Sequence, residues 1–208
     1  MEKFDRPVRM PVEAFESFIG GEDPAVTSRL AHDTAQALLH RVRESDDPDV
    51  VERTVGFART NGLEDLAQLW SAAHPESLPG ALWRLYLVHE AIARNAQVSS
   101  YVYRHGAATD TSIHHIVAGA AEPTGPGEIR ALTTAILHGA FTGDFADALD
   151  RAAAFAAVMS IGCASIAADD ENVNPVRAHR ATRRSARYLQ FAKELSASSR
   201  LQRRGRLD

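Results

Sequence analysis

The sequence feature that most constrains the fold is the repeated pairing of a helix-capping residue with a proline. Asp23-Pro24, Asp47-Pro48 and Asn174-Pro175 each place an N-cap side chain before a proline that suits the first helical position. Strand signals are weak by comparison, because no alternating run of β-branched residues has a useful length. The Asn61-Gly62 pair follows a helical pattern and is typical of a helix C-cap. We therefore predict an all-α fold.

Apolar periodicity and these caps divide the chain into about nine helices, which we expect to pack as one compact bundle. The segment after Pro79 is apolar on nearly all sides, which is typical of a helix near the centre of a fold. The predicted helices cover residues 24–44, 48–61, 63–73, 80–95, 98–104, 110–119, 128–141, 144–168 and 175–196.

Chain length and breaker residues predict a single helical domain with short flanking segments. The 208 residues are enough for a hydrophobic core without disulfides or metals. We predict an N-terminal segment with a short helix over residues 1–22, followed by the helical domain over 23–196. The breaker cluster over residues 122–127 is the best candidate for a hinge. Residues 197–208 are predicted to form a disordered basic tail.

One uncharged stretch, residues 152–168, requires a comparison with membrane-spanning segments. It holds 17 residues, many of them alanine, whereas a spanning helix needs about 20 strongly apolar residues. We interpret it as a buried helix and predict no membrane span. The segment Met1–Met10 has no apolar core of the kind that export signals carry. A cytoplasmic location is therefore expected.

The charges of the chain are strongly segregated. Residues 175–208 carry ten basic and two acidic side chains, for a net charge of +8, whereas residues 1–174 carry 13 basic and 25 acidic side chains, for a net charge of −12. Such asymmetry is typical of a segment that meets an acidic partner.

Four arginines of the last predicted helix repeat at intervals of three and four residues, so we predict that they line one basic face. They are Arg177, Arg180, Arg184 and Arg187. An acidic protein partner is the first hypothesis for this face. The alternative is that the apolar stripe of Tyr188, Phe191 and Leu195 docks on the body while the arginines pair with its acidic surface or stay solvated. Non-specific contact with nucleic acid is a weaker hypothesis, because the rest of the chain would repel phosphate.

Motifs for catalysis or metal binding are absent from the sequence. It contains neither a Glu-x-x-His pair nor a His-Glu-x-x-His run, which are the helical signatures of di-iron and zinc sites. The single cysteine, Cys163, lies in an apolar run where burial lowers thiol reactivity. We predict no metal site, no cofactor and no catalytic residue, and the sequence favours a non-enzymatic interaction or regulatory module. It does not indicate an oligomeric state.

The alternative function is a small-ligand-binding protein or an enzyme with a pocket at the central helix. The candidate lining residues are Trp83, Arg84, Tyr86 and His89, which follow one another within two turns. A buried imidazole must find a hydrogen-bond partner, and the more common interpretation of His89 is a satisfied core histidine.

Three motifs give the chain a resemblance to a group of lineage-restricted helical proteins from actinobacteria. They are the run Leu78–Leu87, the turn Gly139–Gly143, and the start of the first helix with Asp23-Pro24 and Ala31-His32-Asp33. The resemblance covers most of residues 23–160 and leaves the basic C-terminal segment outside. It implies an all-helical fold and transfers no functional residue, because that family carries no established activity.

Overall fold

The computed structural model describes residues 24–43, 69–110 and 125–208, and the regular secondary structure of these residues is entirely helical. The all-α prediction is therefore confirmed. The described part of the chain contains a short helical segment over residues 69–71 and six long helices. The long helices are α1 (Pro24–Arg43), α2 (Leu78–Arg94), α3 (Ala96–Thr109), α4 (Pro126–Thr142), α5 (Phe145–Asp170) and α6 (Pro175–Arg203).

This count of seven helical segments differs from the predicted count of about nine. The described residues do not include the helix predicted over 48–61, residues 111–119 of the helix predicted over 110–119, the N-terminal segment over 1–22, or residues 122–124 of the candidate hinge over 122–127. The division into domains therefore stays a prediction.

Local capping explains where several helices begin. The side chains of Ser77, Asn95, Asp144 and Asn174 each accept a hydrogen bond from a backbone N–H in the first turn of the following helix. Such a bond satisfies one of the backbone donors that a helix leaves open at its start. The predicted starts of α5 and α6 at Asp144 and Asn174 are confirmed.

The helix predicted over 98–104, which we expected to stop at Gly106, instead begins at Ala96 and continues to Thr109 as α3. Gly106 faces α5, where a Cβ atom on it would lie 2.0 Å from the carbonyl oxygen of Val158. A Cβ atom on Gly162 of α5 would lie equally close to the carbonyl oxygen of Val102. Both glycines therefore serve the close crossing of two helices, and Gly106 does not terminate one.

Helix α5 forms the centre of the described fold and packs against α6, α3, α4 and α2. Its buried side chains include Phe155, which stacks on Tyr103 of α3 with 5.4 Å between the ring centroids. By length and composition, α5 is also the one described helix that could cross a membrane, with a mean hydropathy of 1.6 over its most apolar stretch. Of that stretch, 56% is buried inside the fold. A core helix satisfies the same criterion.

The end of the chain is ordered, in contrast to the disordered tail expected over residues 197–208. Helix α6 runs through to Arg203. Ser198 and Ser199 are buried there, and the Ser199 hydroxyl donates to the backbone carbonyl of Ala146, at 3.1 Å. The backbone N–H of Leu78 donates to the backbone oxygen of Asp208, at 2.6 Å. These small side chains let the helix pack closely, so a segment that looked like a polar tail is part of the fold.

Candidate functional site

Helix α6 docks on the body through one side and follows α5 back along its length. The buried side chains on that side are Ala178, Ala181, Tyr188, Ala192 and Leu195. This packing fits the alternative stated above for Tyr188, Phe191 and Leu195, since the first and last are buried and Phe191 lies partly buried against the core. Because only one side is docked, the arginines of α6 lie in different surroundings.

Arginines near the two ends of α6 pair with carboxylates of α5. At the start, the Arg177 guanidinium lies 2.7 Å from the carboxylate of Asp170. At the end, Arg203 lies 2.7 Å from Asp147 and 2.5 Å from Asp150. Hydrogen bonds to Asp150 and Asp147 raise the pKa of Arg203 above its usual value. These end arginines are neutralised by the body of the protein.

Arg184 is half-buried and forms a side-chain hydrogen bond with Tyr188, and its charge also acts on the Cys163 thiol of α5. Burial raises the pKa of the Tyr188 phenol, and the positive charge and hydrogen bond of Arg184 act in the opposite direction. Burial also raises the pKa of the Cys163 thiol, again opposed by the charge of Arg184. A buried thiol with a raised pKa is a poor nucleophile, so this cluster stabilises packing.

Three arginines in the first half of α6, between Arg177 and Arg203, are exposed and share one face. We call Arg180, Arg183 and Arg187 the arginine stripe, because they follow one another at intervals of three and four residues. No carboxylate of the described residues lies within 4.0 Å of their guanidinium groups. The stripe extends for about 10 Å along the helix axis.

The observed stripe differs in membership from the basic face predicted from the sequence, and a binding role for either set stays a prediction. The structure keeps Arg180 and Arg187 on the face and adds Arg183. It pairs Arg177 with Asp170 of α5, and the half-buried Arg184 forms a hydrogen bond with Tyr188 of its own helix. The signal that identifies Arg183 is the position of the small buried residues, which the sequence reasoning did not use. Ala178 and Ala181 define the docked side of α6 together with the large apolar residues, and Arg183 lies away from it.

The four residues predicted to line a pocket on α2 do not share one environment in the structure. Trp83 and Tyr86 are half-buried and stack on each other, with 5.6 Å between the ring centroids, and His89 is half-buried one turn further along. Arg84 instead forms an ion pair with Glu194 of α6 and donates to the carbonyl oxygen of Gly80, at 3.0 Å. Arg84 is thereby committed to helix packing, and a pocket at the other three residues stays a prediction.

Two open grooves lie between α5 and α6, and neither is lined by residues of α2. Their volumes are about 540 Å³ and about 330 Å³. Among the described residues, no group of three or more His, Cys, Asp or Glu side chains is placed to hold a metal ion.

Comparison of the chain with protein-family models, with curated proteins and with solved structures gave no match in any of the three. The resemblance to actinobacterial helical proteins accordingly stays a prediction, and any function has to be argued from the side chains themselves.

Proposed function

We propose that this protein is a non-enzymatic interaction module that binds an acidic segment of a partner protein through the arginine stripe. The supporting observation is the contrast along α6. Arg177 and Arg203 pair with carboxylates of the body, whereas the three stripe arginines lie exposed without such a partner among the described residues. We expect the protein to perform this role in the cytoplasm.

The side-chain chemistry of the stripe fits a carboxylate-bearing ligand. A guanidinium group is permanently charged at physiological pH and presents a planar fork of donors that matches a carboxylate or phosphate. Neighbouring positions on a helix face are about 5–6 Å apart, so carboxylates at similar intervals on an acidic segment can engage all three arginines together.

The size of the stripe and its surroundings favour an acidic protein over nucleic acid. Proteins that bind DNA tightly commonly make about 6–10 phosphate contacts, and the stripe supplies three cations over about 10 Å. Residues 1–174 carry a net charge of −12, which repels a long polyanion more than it repels a short acidic segment.

The proposal is tested by fluorescence anisotropy with a short, labelled poly-glutamate peptide. The wild-type protein is expected to bind the peptide, with an affinity that falls as salt screens the charges. The triple variant R180Q/R183Q/R187Q is expected to bind at least about tenfold more weakly, because each lost charge contact contributes up to about 1 kcal/mol.

A matched control removes the same charge elsewhere. Arg104, Arg130 and Arg204 are also exposed, and the variant R104Q/R130Q/R204Q should retain wild-type affinity. Equal losses in the two triple variants would show a response to net charge alone and would contradict the proposal. Tighter binding of a short DNA duplex than of the peptide, with the same dependence on the stripe, would assign the surface to nucleic acid instead.

A further inference from the structure

The α5–α6 pair presents a second surface, which differs from the arginine stripe in position and composition. We call it the hairpin face. Its exposed or half-buried residues recur at intervals of three and four along both helices, and they are mostly small or apolar. On α5 they are Ala154, Ala157, Ile161 and Ala164, and on α6 they are Ala186, Leu189, Lys193 and Ser196.

The shape of the hairpin face is suited to packing against another helix. The two grooves lie at its opposite ends, the larger beside Ala154 and Ala157 and the smaller beside Ala168 and Thr182. Leu189 lies between them and is 45% exposed, which is high for a large apolar side chain. Alanine-lined grooves admit another helix closely, and an exposed leucine beside them provides a side chain to fill such a groove.

Charges of opposite sign are placed at opposite ends of this face. The exposed carboxylate of Glu171 lines the smaller groove, and the exposed cations of Lys193 and Arg200 line the larger one. Asp150 also lines the larger groove, where its carboxylate is paired with Arg203. Glu171 ends α5 and lines the smaller groove together with Pro175, where α6 begins. At a rise of about 1.5 Å per residue, Leu189 lies close to the midpoint of α6 between Pro175 and Arg200. A two-fold axis near Leu189 therefore brings Glu171 of one copy opposite Arg200 of the other.

We propose that two copies of this chain associate through the hairpin face, with the hairpins antiparallel about a two-fold axis near Leu189. A two-fold interface requires a surface that is complementary to itself, and this order of charges supplies it. The face carries acidic as well as basic side chains, whereas an anionic bilayer favours a uniformly basic surface, so a second copy fits the face better than a membrane.

The area of the face is sufficient for such a dimer. Residues 150–171 of a helix extend over about 32 Å, and two helices packed 8–10 Å apart are about 20 Å wide. The face thus offers on the order of 600 Å² per copy, or about 1,200 Å² in total, at the lower end of specific interfaces. We accordingly expect a dimer that dissociates on dilution.

The first test measures molar mass by light scattering over a dilution series of the full chain. The wild-type protein should show a dimer that dissociates at low concentration. Leu189→Glu should weaken association at least about tenfold, because a carboxylate would be buried at the centre of the interface. Val176→Glu is the matched control, since Val176 is 64% exposed on α6 but lies on the side of the arginine stripe, and its association should be unchanged.

A charge exchange tests the antiparallel arrangement. Glu171→Arg and Arg200→Glu should each weaken association, and the double variant should restore it, because the opposed pair is re-formed with its signs reversed. Far-UV circular dichroism checks that each variant keeps its helices. A wild-type protein that stays monomeric throughout, equal effects of the Leu189 and Val176 variants, or Leu189-dependent binding to anionic vesicles would each overturn the proposal. None of these readouts involves the arginine stripe, so failure here is separable from failure of the acidic-partner function.

Discussion

Helices α5 and α6 run side by side, yet they leave very different side chains available to solvent. Helix α5 packs against α6, α3, α4 and α2, and its side chains fit between these neighbours. Helix α6 packs along α5 and touches α2, so much of its outer side stays exposed. A helix enclosed on several sides has little surface left for binding, whereas a helix docked on one side can carry a functional face at little structural cost.

Within α6, the arginines near the two ends differ from the stripe arginines between them in whether they have a carboxylate partner. Arg177 and Arg203, near the two ends, pair with carboxylates of α5, and the stripe arginines between them form no ion pair with a carboxylate of the described residues. Net charge alone therefore does not show which cations are available to a partner, since part of it is already used to hold the fold together.

The largest effect is expected where α5 crosses α3 most closely. Gly162→Val places a Cβ atom 2.0 Å from the carbonyl oxygen of Val102, and backbone on both sides would have to move. We expect a loss of at least about 3 kcal/mol in the free energy of unfolding, measured by urea denaturation. Gly139→Ala in α4 is the control, because nothing lies within 4 Å of its added Cβ atom. That variant should be more stable by roughly 0.5–1 kcal/mol, and a loss there would contradict the account.

A substitution on the docked side of α6 should lower the free energy of unfolding by less than Gly162→Val does, but still by a clearly measurable amount. Leu195 is fully buried, and Leu195→Ala should cost about 2–5 kcal/mol through lost apolar contact and the cavity left behind. Leu189→Ala on the exposed side should change stability by no more than about 0.5 kcal/mol. Similar losses in the two variants, measured by chemical denaturation at a concentration where the protein is monomeric, would show that α6 is not docked on one side.

An intermediate effect is expected at the ion pair that joins α2 to α6. The side chains of Arg84 and Glu194 are 12% and 11% exposed, so Arg84→Met leaves a largely buried carboxylate without its cation. We expect a loss of about 2 kcal/mol, since Gln190 still donates a hydrogen bond to Glu194. The double variant R84M/E194M should recover most of it, and a double-mutant cycle by urea denaturation measures the coupling.

The contrast between the paired arginines near the ends of α6 and the stripe arginines between them predicts a smaller effect, on the melting temperature. Arg203→Gln removes the contacts to Asp147 and Asp150, so it should lower the melting temperature slightly in low salt and less in high salt. The stripe variant R180Q/R183Q/R187Q should not lower it at either salt concentration. A melting temperature lowered by the stripe variant as much as by Arg203→Gln would mean that the stripe serves the fold.

The smallest predicted effect is a change in how stability depends on alkaline pH. Burial raises the pKa of Tyr188 in the folded state, so folding favours the protonated phenol. Its contribution is complete below the unfolded-state pKa and is lost as the pH rises through the folded-state pKa. Tyr188→Phe should therefore lose less stability than the wild-type protein between about pH 8 and about pH 11, measured by urea denaturation. Tyr101→Phe, at an exposed tyrosine, should follow the wild-type curve.

The sequence by itself determined the helical class and the starts of several helices. Asn174 caps α6 as its sequence context predicts, and α5 begins next to Asp144 as predicted, because an N-cap bond joins residues three positions apart and needs no distant partner. The run after Pro79 likewise predicted α2, since apolar residues on all sides leave few other stable arrangements.

Only the tertiary structure decided the role of Gly106, the order of the C-terminal residues and the membership of the arginine stripe. Each depends on what lies across an interface: the Val158 backbone beside Gly106, the Ala146 carbonyl beside Ser199, and the side of α6 that faces α5. A local pattern fixes that a helix forms and which residues share a face. The face of a helix that becomes buried depends on the free energy of packing between segments far apart in the chain. The sequence of one segment does not determine that free energy.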